Sequence, residues 1–379
     1  MKRRLLALVL SGVLVLGTLT GCTIKSDDVV LTMGKTEVKG DVANFFARYS
    51  QAQTNQMYAY YAQMGYGSAD VDWSAQAEGS DTKKKSDDKT YEEQTKETAL
   101  KNLETFIVLS DHAKDKEYNV KISDKDKKAI EKAAAAFVKA NKNKDGYKKI
   151  SGDKKVVEQV LTWMTIQSRM QKKIEAKADT KVTDKEAAQK KMQYVEFSYS
   201  TSDSSSSSDT ADAAASVATD TVKKQQKEAA DNFYAALKKD SKADFSALAK
   251  KQGLTAQDAT FDKDSTTPNE DLVKAADKLK VGEYTKVIET DDGLYVAKLT
   301  SLMDKDATKS KKESIVSDRK QKLYDDTVDK WIKAAKPDVN KGNWKKIKFT
   351  DFNVKAYQKP TDTSSSSSSG TTNVTTTTK

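Results

Sequence analysis

The chain has 379 residues, 37% of them hydrophobic and 32% charged, with a formal net charge of +10. That length allows a sizeable core and two domains, and the charges are interspersed as on solvated helix faces, which excludes the basic stripe with aromatic platforms that nucleic acid needs. A single cysteine, Cys22, excludes an intrachain disulfide, and three prolines with fifteen glycines leave few helix breakers.

Lys2, Arg3 and Arg4 precede an apolar run from Leu5 to Leu16, broken only by Ser11 and Gly12, and then Leu19-Thr20-Gly21-Cys22. This is the pattern of a secretory signal, too short to favour a spanning helix. It resembles the lipobox of bacterial lipoproteins. The resemblance implies cleavage before Cys22, a diacylglycerol on its thiol, and a lipid anchor on the extracytoplasmic face of the cell membrane. Residues 1–21 are then a signal peptide and 22–28 a tether, and the charge falls from +10 to +7 as Lys2, Arg3 and Arg4 leave. Two or three acyl chains, at about 0.8 kcal/mol per buried methylene, anchor stably.

Val29 onward reads as a short strand, a turn at Met33-Gly34-Lys35 and a helix starting near Gly40, with Val42, Phe45, Phe46 and Tyr49 on one face. Gln56 to Gly67 is dense in tyrosine and methionine, and the polar stretch from Ser68 to Thr90 reads as a loop. A second helix covers Tyr91 to Asp115, with Leu100, Leu103, Phe106 and Ile107 as its apolar stripe. Ser123 reads as an N-cap with Asp126 at the capping-box position. Val156 to Ala176 is a further helix with Val157, Val160, Leu161, Met164 and Met170 inward, and Thr183 starts another.

The texture changes at Lys191. "KMQYVEFSYS" alternates and is rich in aromatic and β-branched residues, as a strand is. Residues 200–216 are a low-complexity serine, aspartate and alanine loop. Thr221 to Lys239 is helical, and "KADFSALAKKQG" is a short helix ended by Gly253. From Asn269 the chain reads helix, turn, strand, hairpin, strand, with Asp291-Asp292-Gly293 as the hairpin turn. Thr308 to Ala335 is a long helix stopped by Pro337, "NWKKIKFTDFNV" alternates weakly as one more strand, and 361–379 is a disordered serine and threonine tail.

Most local motifs carry no chemistry. His112 has no cysteine or second histidine near it in sequence to complete a transition-metal site, and reads as a surface or capping residue. Asn141 to Gly146 has the opening of a calcium loop, but its twelfth position is Gly152, which supplies no carboxylate. No serine-hydrolase elbow and no phosphate-cradling glycine loop is present. No metal and no cofactor is expected. The cluster Met57, Tyr58, Tyr61 and Met64 combines adaptable thioethers with amphipathic rings, as a surface for unfolded segments would. The same residues also suit an ordinary amphipathic helix packed against the C-terminal helix.

"DFSALAKKQG" followed by "DLVKAADKLKVGEYTKVIETDDGLYVAKL" resembles the second half of a parvulin (rotamase) domain, with Leu279-x-x-Gly282-Glu283 as its most specific junction. "TMGKTEVKGDVANFF" with "TFIVLSDHAKDKEYNVKISDKD" resembles the helical chaperone module of SurA-like proteins. With the lipobox in front, the chain resembles the PrsA-type foldase lipoproteins from about Val29 to Ala335. The resemblance implies an α+β fold: a mostly helical SurA-like module over 29–190, completed by 304–350, with a small parvulin-like domain of antiparallel sheet and flanking helices inserted at 191–303. It also implies peptidyl-prolyl isomerisation of unfolded, newly exported proteins. In that family one histidine stands in the first strand and one in the last. Here Tyr194 and Tyr295 occupy those places as candidate catalytic residues, either as a hydrogen-bonded phenol pair or as packing. The family's glycine-rich stretch before the third helix is missing.

The expected function is therefore a membrane-anchored folding factor for exported chains. An alternative is a non-catalytic client- or partner-binding lipoprotein, with a homodimer left open. A further alternative, a transporter's solute-binding lipoprotein, would need two α/β lobes, and only one small sheet is legible.

Overall fold

The computed structural model describes residues 13–16, 24–77, 89–144, 146–200, 220–240 and 243–356. Cys22, the 201–216 loop and the 361–379 tail lie outside them. The chain forms two compact units, Met1–Lys177 with Leu323–Lys379, and Ala178–Lys322. The fold is α+β and mostly helical, with a small antiparallel sheet in the second unit.

In the first unit a short strand β1 (Val13–Leu16) is followed by a hairpin, β2 (Val29–Met33) and β3 (Thr36–Lys39), turned at Gly34 with φ +57°. Helix α1 (Gly40–Gln63) begins on a glycine for a steric reason: a Cβ there would lie 2.1 Å from the Lys25 carbonyl oxygen. Helix α2 (Tyr91–His112) opens with a capping box between Thr90 and Glu93. Helix α3 (Asp124–Asn141) opens with the expected one between Ser123 and Asp126, and Arg169 Nη2 also reaches Asp126 at 2.7 Å. Helix α4 (Lys154–Glu175) completes the layer. Phe45, Phe46, Phe106 and Trp163 meet in the core, with Phe46 edge-on to Phe106 at 5.2 Å.

The second unit starts with a one-turn helix α5 (Asp184–Ala187) and strand β4 (Lys190–Ser198). Helices α6 (Asp220–Lys239) and α7 (Phe245–Lys251), strand β5 (Gln257–Phe261), helix α8 (Glu270–Ala276) and strands β6 (Ile288–Glu289) and β7 (Gly293–Ser301) follow. The sheet order is β5-β4-β7-β6, antiparallel throughout. Alternation separates two cores. Val195, Phe197, Leu294 and Val296 pack with Phe233 and Phe245 on one face, and Met192, Tyr194, Tyr295, Ala297 and Leu299 pack with Leu272 and Val273 on the other.

Helix α9 (Lys305–Ala335) carries the unit boundary, which falls between Lys322 and Leu323 and not before the helix as the sequence suggests. The reason is local bonding of its first half. Gln189 N donates to Thr308 Oγ1 at 3.1 Å, Lys311 meets Asp262 at 2.9 Å, and Arg319 pairs with Glu186. After α9 the chain returns to the first unit. Strand β8 (Asp338–Val339) joins β2 and completes a sheet of order β3-β2-β8.

The stretch expected as one more strand is a helix α10 (Lys341–Lys345), capped by Asn340, and then strand β9 (Asn353–Ala356). β9 pairs with β1. Two further features were not legible. β5 is a five-residue edge strand whose only apolar side chains, Ala259 and Phe261, turn to the core, too short a pattern to mark a strand. Within the 68–90 stretch, Trp73 is buried edge-on to Phe349 at 5.0 Å. Among the described residues no helix is long and apolar enough to cross a membrane.

Candidate functional site

Tyr194 and Tyr295 come from β4 and β7, the two central strands. Their register pairs Tyr194 with Ala297 and Glu196 with Tyr295, so the tyrosines are diagonal neighbours on one face. Their ring centroids lie 6.3 Å apart at 45°. Both side chains are buried among Met192, Phe261, Leu272 and Val273.

Each hydroxyl donates within the unit. Tyr194 Oη reaches Gln257 Oε1 at 2.8 Å, and Tyr295 Oη reaches Glu196 Oε1 at 3.1 Å. Burial, and then the neighbouring Glu196 charge, push the Tyr295 phenol up to about 12 and raise Tyr194 as well. At neutral pH both are uncharged donors, and neither is a phenolate base. Gln257, on the unexpected strand β5, had no signal in the sequence as a partner of Tyr194.

The first unit holds a second arrangement. A cavity of about 400 Å³ runs between α1 and α2, lined by Phe46, Tyr49, Met57, Tyr58 and Tyr91 among others. A second, of about 600 Å³, shares Phe46, Tyr49 and Asn102 and continues past Phe106 of α2 to Leu161 and Met164 of α4. The two therefore adjoin along α1. Tyr58 is half-buried and edge-on to Tyr91 at 5.5 Å. Met57 is 46% exposed. Tyr61 and Met64 are exposed further along and line neither cavity.

Leu161 and Met164, expected inward, are partly exposed in the second cavity. The far wall, Tyr91 and Asn102 on α2, went unread because periodicity gives each helix its inner face and not the gap between two. His112 stacks on Trp331 at 4.0 Å and meets Asp115 Oδ2 through Nδ1 at 2.7 Å. Among the described residues no group of three or more His, Cys, Asp or Glu side chains is placed to hold a metal ion.

Residues 209–310 match the family model of the PPIC-type PPIASE domain. The match contains Tyr295 and begins after β4, which carries Tyr194. No curated protein matches the chain. Among solved structures it is similar to the foldase protein PrsA of Streptococcus pneumoniae str. Canada MDR_19A, at 19% identity over 67% of this chain and 89% of that one, with a TM-score of 0.28. It is also similar to the peptidylprolyl isomerase PrsA of Bacillus cereus, at 19% identity over 71% and 96%, with a TM-score of 0.28. A third similarity is to PrsA of Bacillus subtilis, at 20% identity over 70% and 96%, with a TM-score of 0.20.

Proposed function

We propose that the protein is an extracytoplasmic folding factor, tethered to the membrane through lipidated Cys22, that holds unfolded exported chains in its helical unit. The observation that carries this reading is the pair of adjoining cavities along α1, in a chain that also matches the PPIC-type domain family. The wall of the first mixes aromatic rings and a thioether with uncharged polar groups such as Gln53, Thr54 and Asn102, and the second adds charged side chains, Asp126, Arg169 and Lys172, at its margin. Such walls bind apolar segments without selecting one sequence. The test is suppression of aggregation of a denatured client at stoichiometric amounts. The parent chain starting at Thr23 should suppress it, and Tyr49→Ser with Met57→Ser should lose most of that effect. Full suppression by the double variant would refute the groove as the holding site.

In the second unit, Tyr194 and Tyr295 fill the place of the histidine pair and act chiefly as packing. Both rings are buried, and both hydroxyl protons are already given to Gln257 and Glu196. NMR exchange on a Xaa-Pro peptide should show no exchange beyond that of the peptide alone. Catalysed exchange that Tyr194→Phe and Tyr295→Phe abolish would overturn this assignment and make the phenols catalytic.

A further inference from the structure

Strand β9 is held on one side by side chains of α1 and by Trp73. On that side Asn55 Nδ2 donates to Val354 O at 2.9 Å and to Asn353 Oδ1 at 2.6 Å. Gln51 Nε2 and Arg48 Nη1 donate to Phe352 O at 3.2 and 3.4 Å. Trp73 Nε1 adds a bond to Asn353 Oδ1 at 3.2 Å. Along a strand, the N–H and C=O of one residue point to one side and those of the next to the other. The Val354 carbonyl faces α1, so the peptide groups of Asn353 and Lys355 face away from it. There the chain's own Val13–Leu16 lies antiparallel, with Leu16 opposite Asn353 and Leu14 opposite Lys355.

The strand seated on that edge is Val-Leu-Val-Leu, uncharged and apolar, and it lies inside the leader whose removal the sequence predicts. Cleavage before Cys22 empties the edge. What remains is a rigidly backed strand with outward donors and acceptors, which is a template for strand addition. It is separate from the groove. Arg48, Gln51 and Asn55 lie about 180° around α1 from Phe46, Tyr49 and Met57 at about 100° per residue.

We propose that, in the processed protein, the outer edge of β9 is a second client site, taking an extended, uncharged, apolar stretch of an unfolded chain by antiparallel strand addition. This rests on the reading of the protein as a client-holding factor. The seated segment supplies the chemistry of the occupant, and the orientation of Asn353 and Lys355 supplies the hydrogen bonds.

The probe is a fluorescein-labelled peptide with the sequence of Ser11 to Thr18, added to the soluble chain that lacks the leader and Cys22 and starts at Thr23. Binding is read by anisotropy and located by amide hydrogen exchange. Exchange across 353–356 should slow on binding. Lys355→Pro deletes one outward N–H, at a position where an edge strand tolerates proline, and should weaken binding about tenfold. Its tryptophan-monitored urea midpoint should match that of the parent.

Protection along residues 46–58 in place of 353–356, or equal binding by Lys355→Pro, would overturn the proposal. So would protection of 353–356 that grows with protein concentration in the absence of peptide, which would make a second copy the occupant. Aggregation suppression, measured alongside, separates the two readings. Suppression without peptide protection at β9 overturns the edge site alone, and a chain showing neither effect overturns both.

Discussion

Replacing Gln51 by leucine should loosen the return of the C-terminal segment onto α1. Gln51 is fully buried. Its Nε2 donates to Phe349 O at 3.3 Å and Phe352 O at 3.2 Å, and its Oε1 accepts from Arg48 Nη1 at 3.0 Å. Leucine keeps the volume and removes these three bonds, together with a longer one from Nε2 to Asn353 Oδ1 at 3.5 Å. Phe352 O keeps Arg48 at 3.4 Å, whereas Phe349 O loses its Gln51 donor. A buried carbonyl without a donor costs about 1–3 kcal/mol, and a lost acceptor for a charged donor about 1.5–3 kcal/mol. The guanidinium is already strained electrostatically, since burial lowers the Arg48 pKa to about 10 against the opposing charges of Glu92 and Asp351. The expected loss is about 3–5 kcal/mol, or a urea midpoint lower by about 1–2 M for a slope of about 2–3 kcal/mol/M. The assay is selective. All four tryptophans, Trp73, Trp163, Trp331 and Trp344, lie in the first unit, so tryptophan emission reports its unfolding alone. A midpoint lowered by less than about 0.3 M would refute this account of how the C-terminal segment is held.

Asp262 should make the second unit acid-sensitive. Burial alone would raise its pKa, but bonds from Lys311, Gln189 and Ser265 outweigh that and hold it far below the usual carboxylate range. Its contribution is therefore complete above the unfolded value of about 4 and is lost as the pH falls from there toward the folded value. Asp262→Asn should lower the circular-dichroism midpoint of the second unit at pH 7 and converge with the parent in strong acid; equal midpoints at pH 7 would contradict it. Gly293→Ala should part β4 from β7, because a Cβ would lie 2.5 Å from Phe197 O and 3.0 Å from Ser198 Cα. The cost should be about 2 kcal/mol or more in the same measurement, with tryptophan emission unchanged. Asp126→Ala removes the reciprocal cap of α3 and its bond to Arg169, and should cost the first unit about 1–2 kcal/mol in the tryptophan assay.

The sequence by itself determined the local grammar of the fold. Ser123 with Asp126 announced a helix start because a cap is made within four residues. The alternation of "QYVEF" and "GLYVAKL" announced two strands, and only the resemblance to the parvulin domain set Tyr194 beside Tyr295. Only the tertiary structure decided what lies across from them. Gln257 reaches Tyr194 from a five-residue edge strand too short for its alternation to stand out, and Glu196 faces Tyr295 through a register that depends on long-range pairing. The same holds for the groove. Met57 and Tyr58 stand out by composition, but their opposite wall on α2 is a matter of helix packing. Likewise, the polar residues Arg48, Gln51 and Asn55 of α1 have no hydrogen-bonding partner for their burial close by in sequence apart from one another. They are buried because a segment some 300 residues later returns to accept their hydrogen bonds. Such partners are separated too far along the chain for any local pattern to record them.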